Sequence, residues 1–296
     1  MHDIKRNFDK FLPIVNSFLE KMAIKHHGRA PKFTDAEVIT LSMVSESLGI
    51  DSENHFFMKL KSEYMDDFPN LIERSRFNRR RRRLQRVIDM FQAHLAKCIA
   101  PCEDTFILDS MPIEVCKVAR GKRARICLDD VHTAPEFGFC ASQNQYYYGY
   151  KIQGICSLSG VFMSYDLTKA NISDVHYLQD VRNEYHDCLI LADKGYLSNE
   201  YQLSLFQKSR IRLNTPMRSN QHGYKKQPFL FRKTRKRIET MFSQLCDQFM
   251  IRRNYAKTFD GFSARIISKI SAYTLLQYIN KFLNNKPLGQ IKHALA

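Results

Sequence analysis

The sequence predicts an α/β protein, a mixed-sheet domain preceded by a helical N-terminal domain. Three observations predict it. Over residues 1–100 apolar side chains recur at helical spacing, and Thr34-Asp-Ala-Glu37, just behind Pro31, is a capping box that opens a helix. Past Pro101 the period changes to short apolar runs of strand type. A strand-turn-strand hairpin is followed there by alternating strands and helices, which means a sheet of mixed direction with helices on its faces. The expected domains are 1–100 and 101–296.

Behind the capping box, Val38, Leu41, Ser42 and Val44 begin a helix that should stop near Gly49. The stretch 54–64 carries Phe56, Phe57, Leu60 and Tyr64 at helical spacing. Residues 74–86 hold eight arginines and no acid, among them Arg79, Arg80, Arg81, Arg82 and Arg83. After them Val87, Met90, Phe91 and Leu95 resume a helical stripe. In the second domain 105–109 is a short apolar strand ending in Asp109. Residues 117–147 show a basic patch but little periodicity. The hairpin strands are 148–156 and 161–165, joined by a turn through Gly160. A short helix is expected over 174–182, and a buried-type strand, 188–192, ends in Asp193. Ser198 caps a helix to about Gln207, and 211–214 is another short strand. Helices then cover about 228–250 and 263–283.

Composition narrows the function. Hydrophobic residues are 44% and charged residues 26%, which suits a folded globular chain. Runs free of Asp, Glu, Lys and Arg are too short for a membrane span, and no signal peptide is expected because Glu20 and Lys21 interrupt the first apolar run. Eight cysteines in 296 residues are too dilute for a disulfide scaffold and read as reduced thiols of a cytoplasmic protein. The net charge is +16, and its placement matters more than its size. Residues 201–296 carry 19 Lys+Arg against only Glu239, Asp247 and Asp260, while residues 1–200 are balanced. A field of one sign this concentrated points to a polyanion, most simply nucleic acid. The arginine-rich helix suits phosphate contact, with a merely solvated helix face as the plainer reading.

Three acids stand out. Asp109 and Asp193 each follow an apolar strand, and if those strands are parallel neighbours both carboxylates emerge at one sheet edge. A single acid there is often the cap of the next turn. Glu239 is the sole carboxylate between Glu200 and Asp247. Its helix buries Ile238, Met241, Phe242, Leu245 and Phe249, and an i, i+4 pair with Arg235 is expected. Carboxylates suit hard cations such as Mg²⁺, and two such ions can activate a nucleophile and stabilise the leaving oxygen of a phosphodiester. No nucleotide-binding glycine loop or Gly-x-Ser-x-Gly elbow is present. Asp174 and His176 read as a satisfied structural pair, and Tyr146, Tyr147, Tyr148 and Tyr150 as packing residues rather than base-stacking ones. Lys194 and Tyr196 flank Asp193 as phosphate contacts.

Several motifs together resemble DDE transposases with a ribonuclease H-like catalytic domain, and most closely the insertion-sequence 982 family. They are Lys32-Phe-Thr-Asp-Ala-Glu-Val-Ile39, Ser75-Arg-Phe-Asn-Arg-Arg80, Ile107-Leu-Asp109-Ser, Tyr148-Gly-Tyr-Lys-Ile152, Leu191-Ala-Asp193-Lys-Gly-Tyr196 and Arg237-Ile-Glu239-Thr-Met-Phe-Ser243. The resemblance implies a metal-binding catalytic triad of Asp109, Asp193 and Glu239 with two Mg²⁺ or Mn²⁺ ions. It also implies an N-terminal domain that recognises element ends. Related transposases carry a Tyr and a Lys around the third acid where this chain has Arg232 and Cys246, so Lys233 or Lys236 is left to supply the positive charge beside Arg235. The expected partners are double-stranded DNA, as terminal inverted repeats and target, and a second copy of the chain. The expected place is the bacterial cytoplasm at the nucleoid, with no membrane. Two other readings stay open: a catalytically silent DNA-binding protein derived from a transposase, and a ribonuclease H-like nuclease.

Overall fold

The computed structural model describes residues 3–22, 31–217, 220 and 222–295. The chain divides into two compact units, Met1–Leu95 with Gln244–Ala296, and Ala96–Ser243.

The first unit is helical. It contains α1 (Ile4–Met22), α2 (Asp35–Ser47), α3 (Glu53–Glu63), α4 (Arg74–Arg83) and most of α5 (Gln85–Ile99). The capping box is present at α2: Thr34 accepts from the Glu37 amide at 3.2 Å, and the Glu37 carboxylate receives the Thr34 amide. The C-terminal helix α9 (Phe259–Phe282) is buried over nearly its whole circumference, which makes it the axis of this unit. A helix apolar all round must lie in a core. Yet α9 also buries Arg265 and Lys269, and both point at Glu46 of α2. Arg265 donates to the Glu46 carboxylate through Nε at 3.1 Å and Nη2 at 3.2 Å, and the Lys269 ammonium donates to Oε2. Burial works to raise the Glu46 carboxyl, but Lys269 and Arg265 outweigh it and hold it down at about 2.

The second unit is a mixed sheet flanked by helices. Its strands are β1 (Thr105–Cys116), β2 (Glu136–Cys140), β3 (Gln145–Ser157), β4 (Phe162–Lys169), β5 (Leu189–Ala192) and β6 (Arg212–Asn214). Its helices are α6 (Leu178–Glu184), α7 (Asn199–Ser209) and most of α8 (Phe229–Asp247). The sheet order is β2-β3-β1-β5-β6, with β4 also paired to β3. The pairs β1–β3, β2–β3 and β3–β4 are antiparallel, whereas β1–β5 and β5–β6 are parallel. Helices α6 and α7 cover one face through Leu178, Val181 and Leu205 against Leu108, Ile190 and Ala192. On the other face Phe242 of α8 packs on Gly154. A Cβ there would lie 3.3 Å from the Phe242 ring and 3.0 Å from Phe162, so only glycine lets the helix settle this close.

This is an α/β ribonuclease H-like fold preceded by a helical region. Two elements differ from the sequence expectation. Strand β1 does not stop at Asp109 but runs on through Pro112 to Cys116, paired to β3. Beyond Leu108 it has no pairing with β5, and an edge tolerates the missing proline donor. Strand β2 forms within the stretch of little periodicity. Its Gly138 sits against Ala170, where a Cβ would come within 2.5 Å of the Ala170 carbonyl oxygen.

Candidate active site

The parallel register Leu108↔Ala192 is the last pair between β1 and β5, so Asp109 and Asp193 are the next residue on each strand. Their backbones then diverge. Asp109 continues in β1, its Oδ1 accepting the Ser110 amide at 2.8 Å. Asp193 begins a 3-10 turn, Lys194–Tyr196, and caps it by accepting the Lys194 amide at 2.5 Å. That turn is pinned to the sheet by the buried Tyr196, whose hydroxyl donates to Oε1 of the fully buried Gln153 on β3. Gln153 in turn donates to Asp174 at 2.8 Å, and Lys151 donates to the same carboxylate at 2.7 Å.

Helix α8 supplies the rest. Arg235 lies between the two aspartates, with Nη2 3.7 Å from Asp109 and Nη1 3.6 Å from Asp193. Among the described residues its ion pairs run to these two acids, not along its own helix to Glu239. Glu239 follows one turn later and is exposed. Burial pushes the Asp109 carboxyl up to about 6; the Ser110 amide and Arg235 pull it down, while the charges of Asp193 and Glu239 add to the rise. The three acids therefore share one electrostatic neighbourhood. Among the described residues, however, no three His, Cys, Asp or Glu side chains stand close enough to hold a metal ion. The donor chemistry, all carboxylate, is that of a Mg²⁺ site. The arrangement is not, because a guanidinium already sits between two of the three acids.

The expected DNA contacts separate into two groups. Lys194, Lys233 and Lys236 are exposed around the acids. In α4, Arg79 and Arg83 are exposed and Arg82 is half-buried. Arg80 is turned inward to the Asp35 carboxylate and the Phe33 carbonyl. Arg81 is inside the helical unit, its side chain 2% exposed, and donates to Glu53 at 2.8 Å. The signal for this was present: Arg81 lies four residues after the buried Phe77, on the same helix face. Asp174 and His176 are satisfied as expected of structural residues, but not by each other, since His176 Nδ1 faces the Tyr201 hydroxyl at 3.4 Å. Of the four tyrosines, Tyr147, Tyr148 and Tyr150 are buried, and Tyr146 is not. Tyr196, expected as a phosphate contact, is buried instead, and sequence reasoning missed its bond to Gln153, which ties the Asp193 turn to the sheet.

A mixed sheet with acids just past the last pair of two adjacent parallel strands, and a third acid on a helix beside them, is the plan of a DDE-type domain. The transposase DDE domain family matches residues 100–275, and the chain belongs to that family. No curated protein matches the chain. Among solved structures, the Mos1 transposase paired-end complex with left transposon end is similar at 14% identity over 88% of this chain and 84% of that one. The TM-score is 0.24, a likeness too slight to bear on the fold. Among the described residues no helix is long and apolar enough to cross a membrane.

Proposed function

We propose that this chain is a DNA-binding protein of the DDE transposase family whose carboxylate site is closed by its own arginine, so that in the described arrangement it binds DNA without cutting it. The observation that carries this reading is Arg235 seated between Asp109 and Asp193. A positive charge there pairs with the two aspartates and leaves Glu239 outside. The basic C-terminal third and the exposed Arg79 and Arg83 supply phosphate contacts. In this reading residues 1–100 recognise DNA ends and 101–296 form the domain built around the acids, acting as a dimer or larger assembly on double-stranded DNA.

A second reading is favoured by a different observation, the register that sets Asp109 beside Asp193 together with the influence of Glu239 on Asp109. In it the protein is an active transposase of a bacterial insertion sequence of the 982 type, located at the nucleoid. Asp109, Asp193 and Glu239 are its catalytic and metal-binding residues, with two Mg²⁺ or Mn²⁺ ions. It hydrolyses the phosphodiester at the element ends and joins the 3′ end to target DNA. Lys194, Lys233, Arg235 and Lys236 then hold the DNA backbone near the acids.

One experiment tests both. Labelled duplexes carrying the inverted repeats that flank the gene are incubated with the protein and Mg²⁺ or Mn²⁺, and binding and strand cleavage are read from the same samples. Binding without cleavage supports the first reading. End-specific cleavage abolished by Asp109→Asn, Asp193→Asn or Glu239→Gln establishes the second. Cleavage without regard to end sequence identifies a ribonuclease H-like nuclease, and absence of binding overturns all three.

A further inference from the structure

Away from the acids, the β2–β3 end of the sheet carries a surface with no role in either reading. Phe137 pairs with Tyr148 and Phe139 with Tyr146 across the antiparallel strands, so the four rings share one face of the sheet. The first pair is capped by a basic 3-10 turn, Val118–Arg123. Its Gly121 lies so close that a Cβ would fall 2.6 Å from the Phe137 ring and 3.0 Å from Tyr148. The second pair is open. The Phe139 and Tyr146 rings stand 5.0 Å apart and are 50% and 65% exposed. Packing on each other, they present aromatic faces to solvent at the free end of the strand pair.

Beside these rings the capping turn supplies charge. Residues 117–125 contain Lys117, Arg120, Lys122, Arg123 and Arg125 and no acid, and all five cations are exposed. No ion pair among the described residues involves any of the five. Stacked aromatic faces next to a cluster of such cations are the two parts of a single-strand binding surface: rings for the bases, cations for the backbone. A duplex would use only the cations, because its bases are already stacked on each other.

We propose that Phe139 and Tyr146, with the cations of the 117–125 turn, form a binding site for single-stranded DNA. The inference rests on the reading that the protein handles DNA and adds an unpaired strand to its substrates. Tyr146 lies along β3 about eight residues from Gly154, the partner of Asp109, a distance of roughly 27 Å. The site thus receives a strand several nucleotides away from the acids rather than the reacting phosphate.

The test uses the full-length protein, a fluorescein-labelled oligo(dT) 20-mer and a blunt duplex of the same length. Phe139→Ala and Tyr146→Ala should each weaken oligo(dT) binding about tenfold, from the loss of one stacked base. Duplex affinity and the melting temperature should stay unchanged, because both side chains are exposed. The chain contains no tryptophan, so Tyr146→Trp creates a single reporter at the site. That variant should keep wild-type affinity, and its indole fluorescence should be quenched on adding oligo(dT) but not duplex. Equal losses on both DNAs, no loss on oligo(dT), indole fluorescence of Tyr146→Trp that oligo(dT) leaves unquenched, or tighter binding of oligo(U) each overturn the proposal. Duplex binding retained in an otherwise negative result leaves the proposed function standing, whereas loss of both DNAs removes both.

Discussion

Glu46 and Asp109 are both carboxylates withdrawn from water and facing arginine, and they are held in opposite ways. Glu46 is enclosed by Arg265 and Lys269 with Arg81 beyond at 3.9 Å, and its carboxyl sits at about 2. Asp109 has one arginine at 3.7 Å, shares it with Asp193, and its carboxyl rises to about 6. The first acid has more cation than it needs, the second less. A surplus of counter-charge fixes an acid as part of a core. A shortage leaves an acid only partly balanced, its charge offset by one arginine that it shares with a second carboxylate.

The largest effect should come from breaking the first arrangement. Glu46→Gln leaves Arg265 and Lys269 buried without their counter-charge, which costs about 3–5 kcal/mol. The same figure follows from linkage. A carboxyl at about 2 when folded against roughly 4.3 when unfolded contributes about 3 kcal/mol. Because the folded value is depressed, that stability is fully present above pH ~4.3 and is lost as the pH falls toward 2. Urea denaturation at pH 7 measures the loss. A change under ~1 kcal/mol would mean that the cluster relaxes into water and does not hold the helical unit together.

The second arrangement should respond with the opposite sign. Asp109 is raised when folded, so its ionisation costs stability. The cost is absent below pH ~4, where both states are protonated, grows to about 3 kcal/mol by pH ~6, and is constant above. Asp109→Asn removes that cost, and because the raised value already includes the attraction to Arg235, a net gain of about 3 kcal/mol is expected at pH 7 and none at pH 4. Denaturation midpoints of the two proteins at the two pH values check it. A destabilised Asn variant at pH 7 would place Asp109 with Glu46, as a structural acid.

How far these two sites could be read from the sequence follows from how local their signals are. Asp109, Asp193 and Glu239 were legible because an acid after an apolar run, or alone in a basic stretch, stands out along the chain. The capping box at Thr34 was legible for the same reason. Arg235 was legible as a residue but not in its partner. The local choice was Glu239 at i+4, and only the tertiary approach of α8 to Asp109 within β1 and to Asp193 just after β5 offers two aspartates instead. The Glu46 cluster was invisible, since its members come from α2 and α9, more than 200 residues apart in sequence. Strand β2 was missed because its alternating Phe137 and Phe139 face solvent, so its pattern carries no burial signal.

The arginine run of α4 repeats the same contrast within one helix and gives the smallest expected effect. Five consecutive arginines look alike in sequence, but 3.6 residues per turn must send some inward. Arg81 is the one sent into the core with Phe77, so including it in a test of DNA binding would confound binding with folding. The informative variant is Arg79→Ala with Arg83→Ala, both exposed. Stability should move by less than ~0.5 kcal/mol, as for surface substitutions away from packing. If each arginine neutralises one phosphate, the slope of log affinity against log salt should fall by about 2, near 0.9 per contact. Filter binding to duplex ends between about 50 and 200 mM salt reads the slope, and circular dichroism confirms the fold. An unchanged slope would make α4 a structural helix on both faces, its inner arginines pairing with acids and its outer ones only solvated. DNA contact would then rest on the basic C-terminal third.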